Sequence, residues 1–231
     1  MSSRAGRPVV LLACLLAASP VAAQVRVGAS GSALLMQHRV FAGNGVELSS
    51  GPLYGGGVFG AVGQHVEFAF EGASGKLNKD SAQASSATLS RAEGHVAILP
   101  VPWLALRAGA GVHTFSNAVA VQRWTTVRVG GEARLRFVGG AVAGLVRFEL
   151  YPIVDVTGLE KPSRAFGAAS GLQLTAGALL AELMYTFERY DFPPVGGVTR
   201  AEQLSALTVS LGLRLGSLTR RTPPAGEAPP P

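Results

Sequence analysis

Residues 127–137 read VRVGGEARLRF, and residues 142–151 read VAGLVRFELY. In the first stretch Val127, Val129, Ala133, Leu135 and Phe137 alternate with Arg128, Glu132, Arg134 and Arg136. Successive side chains of a strand point to opposite faces, so one face here is apolar and the other charged. A helix would smear both sets around its circumference. The second stretch repeats the pattern, with Val142, Val146, Phe148 and Leu150 set against Arg147, Glu149 and Tyr151. Val138, Gly139 and Gly140 stand between them, a connection short enough for a hairpin. A turn at Val138-Gly139 sets Arg128 opposite Glu149 and Glu132 diagonal to Arg147, which brings opposite charges together on the polar face.

The same alternation extends in both directions. Val66, Phe68 and Phe70 face one way and His65, Glu67 and Glu71 the other, with Gly63-Gln64 turning back to Phe59 and Ala61. Residues 88–98 alternate around Arg91, Glu93 and His95, and Pro100-Val101-Pro102 makes a stiff reversal. Leu104, Leu106, Ala108, Ala110 and Val112 return beside Arg107 and His113. A further hairpin carries Leu172, Leu174 and Ala176 through Ala176-Gly177 into Leu179, Ala181, Leu183, Tyr185 and Phe187. Gln173, Thr175, Glu182, Thr186 and Glu188 are its polar partners. Residues 25–33 and 204–215 supply the outermost strands. Ten strands result, with eight and twelve as the alternatives. The connections near 63, 101, 139 and 177 are short. Those at 35–50, 75–83, 116–123, 155–164 and 191–202 are longer and more polar. Strict alternation of short and long is the mark of an antiparallel up-and-down β-barrel.

Composition points to where such a barrel sits. Hydrophobic residues make up 48%, charged residues 15%, and glycine 30 of 231 positions. Soluble domains carry about 25% charged residues. Yet no stretch beyond the first 23 residues approaches the roughly 18 apolar residues of a membrane helix. A chain that is apolar overall but never continuously so fits a wall greasy at every second position, the surface of a transmembrane β-barrel.

Residues 1–23 have the features of a signal peptide. Arg4 and Arg7 give a basic start, residues 9–18 are apolar, Pro20 breaks the run, and Val21-Ala22-Ala23 precede Gln24. Cleavage is expected between Ala23 and Gln24. The competing reading is lipoprotein processing at Cys14, which would leave only about six apolar residues before the cut, fewer than the 7–15 expected. Cys14 is the one cysteine of the chain, so the mature protein has neither disulfide nor thiol chemistry. Residues 24–216 then form the barrel. Residues 217–231, with Pro223-Pro224 and Pro229-Pro230-Pro231, form a disordered periplasmic tail. The net charge of +6 falls to +4 without Arg4 and Arg7. Only Arg220-Arg221 adjoin and no basic stripe exists, so nucleic-acid binding has little support.

The leader, the paired alternating strands and the final apolar run resemble the small bacterial outer-membrane β-barrel proteins. Leu211-Gly212-Leu213-Arg214-Leu215 is similar to that family's assembly signal in its last strand, although it lacks a terminal aromatic residue. The resemblance covers residues 25–215. It implies a multi-pass outer-membrane location, contact with outer-membrane lipid and lipopolysaccharide, and passage through periplasmic chaperones and the barrel assembly machinery. A monomer is expected.

The inner face should carry Glu93, Arg107, Arg128, Glu132, Arg134, Arg147 and Glu149. Glu67, Glu71, Arg91, His95, His113, Arg136, Glu182, Glu188 and Arg214 belong with them. Acids and bases are mixed and nearly balanced, so a neutralising network filling a narrow lumen is favoured over a polar pore. Trp124, Tyr151, Tyr185, Phe187 and Tyr190, with Phe115 and Phe192, adjoin long connections and are assigned to an aromatic girdle at the outer interface. His113, Ser116, Asp155, Glu188 and Asp191 are the residues a rim-located enzyme would use, but they match no catalytic motif. His38, His65, His95 and His113 lack metal-ligand spacing. Gly55-Gly56-Gly57 follows no phosphate-loop pattern and suits a wall that bends or packs closely. No metal and no cofactor is expected. The favoured function is non-enzymatic, in envelope structure or surface interaction through extracellular loops. A narrow channel or transporter is the alternative, and a surface enzyme comes third.

Overall fold

A computed structural model describes residues 25–82, 85–117 and 120–218. The leader at 1–23 lies outside them, as does the Pro-rich tail from residue 219 onward. Ten strands follow one another: β1 (Val25–Ala42), β2 (Gly45–Val62), β3 (Val66–Lys79), β4 (Ala87–Val101) and β5 (Leu104–Ser116), then β6 (Val121–Phe137), β7 (Val142–Val156), β8 (Arg164–Ala176), β9 (Leu179–Val195) and β10 (Val198–Leu218). Each pairs antiparallel with its neighbour in sequence, and β1 pairs with β10 to close the barrel. The last strand runs two residues past position 216, into the stretch assigned to the tail.

Closure is staggered. A path across successive partners runs Arg26, Ala61, Glu67, Ala97, Arg107, Gly130, Glu149, Gly167, Glu188, Leu204 and back to β1 at His38. That is 38 minus 26, or 12 residues further along the same strand. Such a stagger tilts the strands by roughly 35–45° from the barrel axis. The turns near Gly63, Trp103, Gly139 and Gly177 share one end with Val25 and Leu218, which pair with each other.

Two features of the connections differ from the sequence reading. Residues 35–50 and 191–202 are not long loops. β1 and β2 continue to a two-residue turn at Gly43-Asn44, and β9 and β10 to one at Gly196-Gly197. Polar residues in these stretches are strand residues that stand above the apolar part of the wall. The second difference is register. The β6–β7 turn contains four residues, 138–141, with Gly139 and Gly140 both at positive φ, 64° and 89°. Glu132 therefore lies directly opposite Arg147, and Glu149 opposite Gly130, which makes Arg128 and Glu149 the diagonal pair. The faces are unchanged because the shift is two residues, an even number. Higher up, a bulge sets Val127 against Ile153 but Val129 against Leu150. The β8–β9 turn is likewise Gly177-Ala178, one residue later than expected.

The outward face is a continuous apolar band. In β10 it holds Leu207, Val209, Leu211, Leu213 and Leu215, and in β6 Val127, Val129, Leu135 and Phe137. Leu211 is 63% exposed and Leu135 58%, so this surface covers no core. Along part of the β2–β3 seam the backbones leave no room for a side chain. A Cβ at Gly55 would lie 2.0 Å from the Gly72 carbonyl oxygen, so the glycine run is the close-packed part of the wall.

Candidate functional site

The inner face is organised in three levels. At the level nearest the short turns, Arg26, Arg136 and Arg214 are exposed at the mouth. Above them lies one ionic network of five arginines and five glutamates among the described residues. Glu132 is its centre. It is 3% exposed and meets Arg107 Nη1 at 3.0 Å, Arg134 Nε at 2.8 Å and Arg147 Nη2 at 2.7 Å. Arg134 also grips Glu67 with two nitrogens, at 2.9 and 2.6 Å. Arg107 and Arg128 approach Glu149 at 3.5 and 3.8 Å. Arg128 further pairs with Glu93, which Arg91 meets at 2.8 Å. Arg91 extends the chain to Glu188 at 3.9 Å, and the Tyr190 hydroxyl donates to Glu188 at 2.7 Å.

Alternation explains this assembly. Each member sits at an inward position of β3, β4, β5, β6, β7 or β9, and the barrel's stagger brings distant positions to one height. All seven residues assigned from sequence to the lumen network are in it, together with Glu67, Arg91 and Glu188. Arg91 and Glu188 were assigned inward without a partner, because pairs across the lumen cannot be read from any single hairpin. Taking charges out of water is costly, and the network offsets that cost only through its many hydrogen bonds.

The other side of the lumen is different. β1, β2 and β10 present Ser30, Ser32, Gly55, Gly57, Thr208 and Ser210. Between the charged wall and this small-residue wall lies a cavity of about 300 Å³, which extends down to Arg26 and Arg214.

The third level is an apolar seal toward the end that bears the longer connections. Leu34, Met36, Leu53, Leu77, Leu89, Phe115, Trp124, Tyr151, Tyr190, Phe192 and Leu204 pack together there. Trp124 is central, its ring 4.9 Å from Tyr190, 5.9 Å from Phe192 and 6.4 Å from Phe115. This corrects the girdle assignment. Trp124, Tyr151 and Tyr190 are 1%, 7% and 0% exposed and point inward, as do Phe115 and Phe192. Tyr185 and Phe187 do face outward. The parity of each strand carried the signal: Trp124 shares that of Arg128, Tyr151 that of Glu149, and Tyr190 that of Glu188. Nearness to a connection was the wrong criterion. The outward aromatics that sequence reasoning missed are Tyr54, Phe166 and Trp103. Above the seal His38 bonds Glu202 at 2.9 Å, and Arg200 meets the same carboxylate at 2.5 Å.

The residues weighed for catalysis do not converge. His113 and Glu188 are interior, whereas Ser116, Asp155 and Asp191 lie on the outward side. Asp155 pairs with Lys161 at 3.6 Å and Asp191 with Arg189 at 2.8 Å. Among the described residues no three of His, Cys, Asp or Glu are grouped to hold a metal.

The chain matches no protein-family model and no curated protein. Solved structures similar to it are barrels. The translocator domain of the autotransporter NalP from Neisseria meningitidis is 12% identical, with 90% of this chain and 94% of that one covered and a TM-score of 0.43. The β domain of the Bordetella autotransporter BrkA is 14% identical over 80% and 98%, with a TM-score of 0.39. Neisserial surface protein A is 9% identical over 81% and 96%, with a TM-score of 0.35. The likeness is one of architecture.

Proposed function

We propose that the protein is an integral outer-membrane barrel whose lumen does not conduct, and that it serves envelope structure or surface interaction rather than transport or catalysis. The observation that carries this reading is the apolar seal. An aromatic and aliphatic layer with Leu53 and Tyr190 at 0% exposure crosses the whole lumen above the ionic network. Ions cannot pass such a layer without its opening.

The outward band supports a membrane location. Five or so outward positions per strand match the length at which a tilted strand crosses a bilayer. Immediately above the band the same faces turn polar, with Gln37, Arg39, Lys76, Arg123, Arg164, Arg189 and Gln203. Cations outnumber acids in this collar, which suits the phosphate-bearing headgroups of lipopolysaccharide. Among the described residues no charged side chain faces outward at the short-turn end of the band, so that end is assigned to the periplasm. Delivery there requires the leader at residues 1–23, periplasmic chaperones and the assembly machinery. A wall matched to lipid all the way round favours a monomer. Two of the outer connections are two-residue turns, so strand tops as well as loops form the surface a partner would meet.

Proteoliposome swelling tests the reading. Vesicles bearing the folded protein should resist swelling in small sugars and amino acids as well as empty vesicles do. Swelling at porin-like rates would put the transport reading first.

A further inference from the structure

The ionic network is neutral in itself, so the charges outside it stand out. Two of these are Arg26 and Arg214, which line the cavity at its periplasmic mouth on adjoining strands. Neither has a carboxylate partner among the described residues. The contact made by Arg26 is one hydrogen bond donated to the Gly63 carbonyl at 3.0 Å. Two more are Glu71 and Glu182, which line the same cavity deeper in. Glu182 accepts a hydrogen bond from Gln173 at 3.3 Å, and Glu71, directly opposite Glu93, shares a hydrogen bond with that carboxylate. Neither Glu71 nor Glu182 has an ion pair among the described residues. The cavity is thus basic at its mouth, with two carboxylates deeper in that no ion pair among the described residues engages.

Its dimensions are set by register. Glu182 faces Ser210, and Arg214 lies four residues from Ser210 along β10. Four residues of strand span about 13 Å between backbones, and both side chains line the same cavity. Ser30 and Ser210 lie between them with hydroxyls that make no hydrogen bond among the described residues.

We propose that this cavity binds a short zwitterionic peptide of two or three residues. Its carboxylate would sit at Arg26 and Arg214, its ammonium at Glu182, and its amides against Ser30 and Ser210. Arginine pairs grip carboxylates through forked hydrogen bonds, and an unpaired carboxylate is the natural acceptor for an ammonium. A volume of about 300 Å³ is at the small end of ligand pockets and fits a ligand of that length. The site lies below the seal, so occupancy needs access from the periplasm alone and is independent of whether the lumen conducts.

Titration calorimetry on the full chain folded in detergent tests this, with trialanine as the probe. Trialanine should bind, and acetylating its amino end or amidating its carboxyl end should each weaken binding about tenfold or more. Arg214→Gln should bind trialanine and its amide equally weakly. Glu182→Gln should do the same for trialanine and its acetylated form. Arg214→Gln leaves the ionic network untouched, Glu182→Gln removes a charge beside Arg147, and heat-modifiable mobility reports whether each is folded. Should a variant fail to fold, the blocked peptides decide the matter on the wild type. Absence of binding by trialanine, equal binding of the free and blocked peptides, or variants that bind like the wild type would each overturn the proposal.

Discussion

Glu132 holds three arginines while almost fully buried, so its loss should be felt more than that of any other network member. Removing one partner of a buried ion pair costs on the order of 3–5 kcal/mol, because the remaining charges are left uncompensated. Glu132→Ala should therefore lower the urea midpoint of the folded barrel strongly. Glu149→Ala, whose contacts are 3.5 and 3.8 Å long, should lower it less. Equal effects would mean that Glu132 is not the centre. Trp124 offers a second contrast, since its indole nitrogen has no hydrogen-bond partner among the described residues. Trp124→Phe should then be mild, whereas Trp124→Ala removes the middle of the seal at a cost of about 3–5 kcal/mol. A severe Trp124→Phe variant would point to a polar role for that nitrogen. At this scale the sequence was informative wherever parity decided: every network residue assigned inward is inward. It failed for Trp124, Tyr151 and Tyr190 because position along the strand was given more weight than parity.

The β6–β7 hairpin shows what strand patterning can and cannot specify. Alternation fixes which residues share a face, and it does so without the turn. Pairing within the face depends on how many residues the turn holds, and two glycines at positive φ allow four where two were expected. Cross-linking distinguishes the registers. Ala133→Cys with Val146→Cys joins residues that face each other, and should form a disulfide on oxidation. Ala133→Cys with Gly144→Cys, the pair demanded by a two-residue turn, should not. The outer strand extensions were illegible for a related reason. Their polar residues resemble loop composition, and nothing local distinguishes a loop from a strand that continues above the apolar band.

For the molecule as a whole, the band edge is the feature that ties sequence to membrane. Arginine on the lipid face near the midplane costs about 2–4 kcal/mol but only about 0–1 near the interface. Val129→Arg, within the band, should block insertion into lipid vesicles. Gln37→Arg, on the same outward side but in the collar, should insert like the wild type. Similar insertion of both would remove the band. Composition already implied an outward wall of this kind, since the apolar residues are many but never continuous. What composition could not reveal is that the lumen is layered, because the seal draws Leu34, Leu53, Leu77, Leu89 and Trp124 from five separate strands.

That layering is the central claim, and ion conductance across a planar bilayer tests it most directly. The wild-type barrel, once inserted, should give no steady channel, while Trp124→Ala in the same preparation should open to measurable current through the cavity beneath. A wild type that conducts steadily, with a current unchanged by Trp124→Ala, would contradict the sealed lumen.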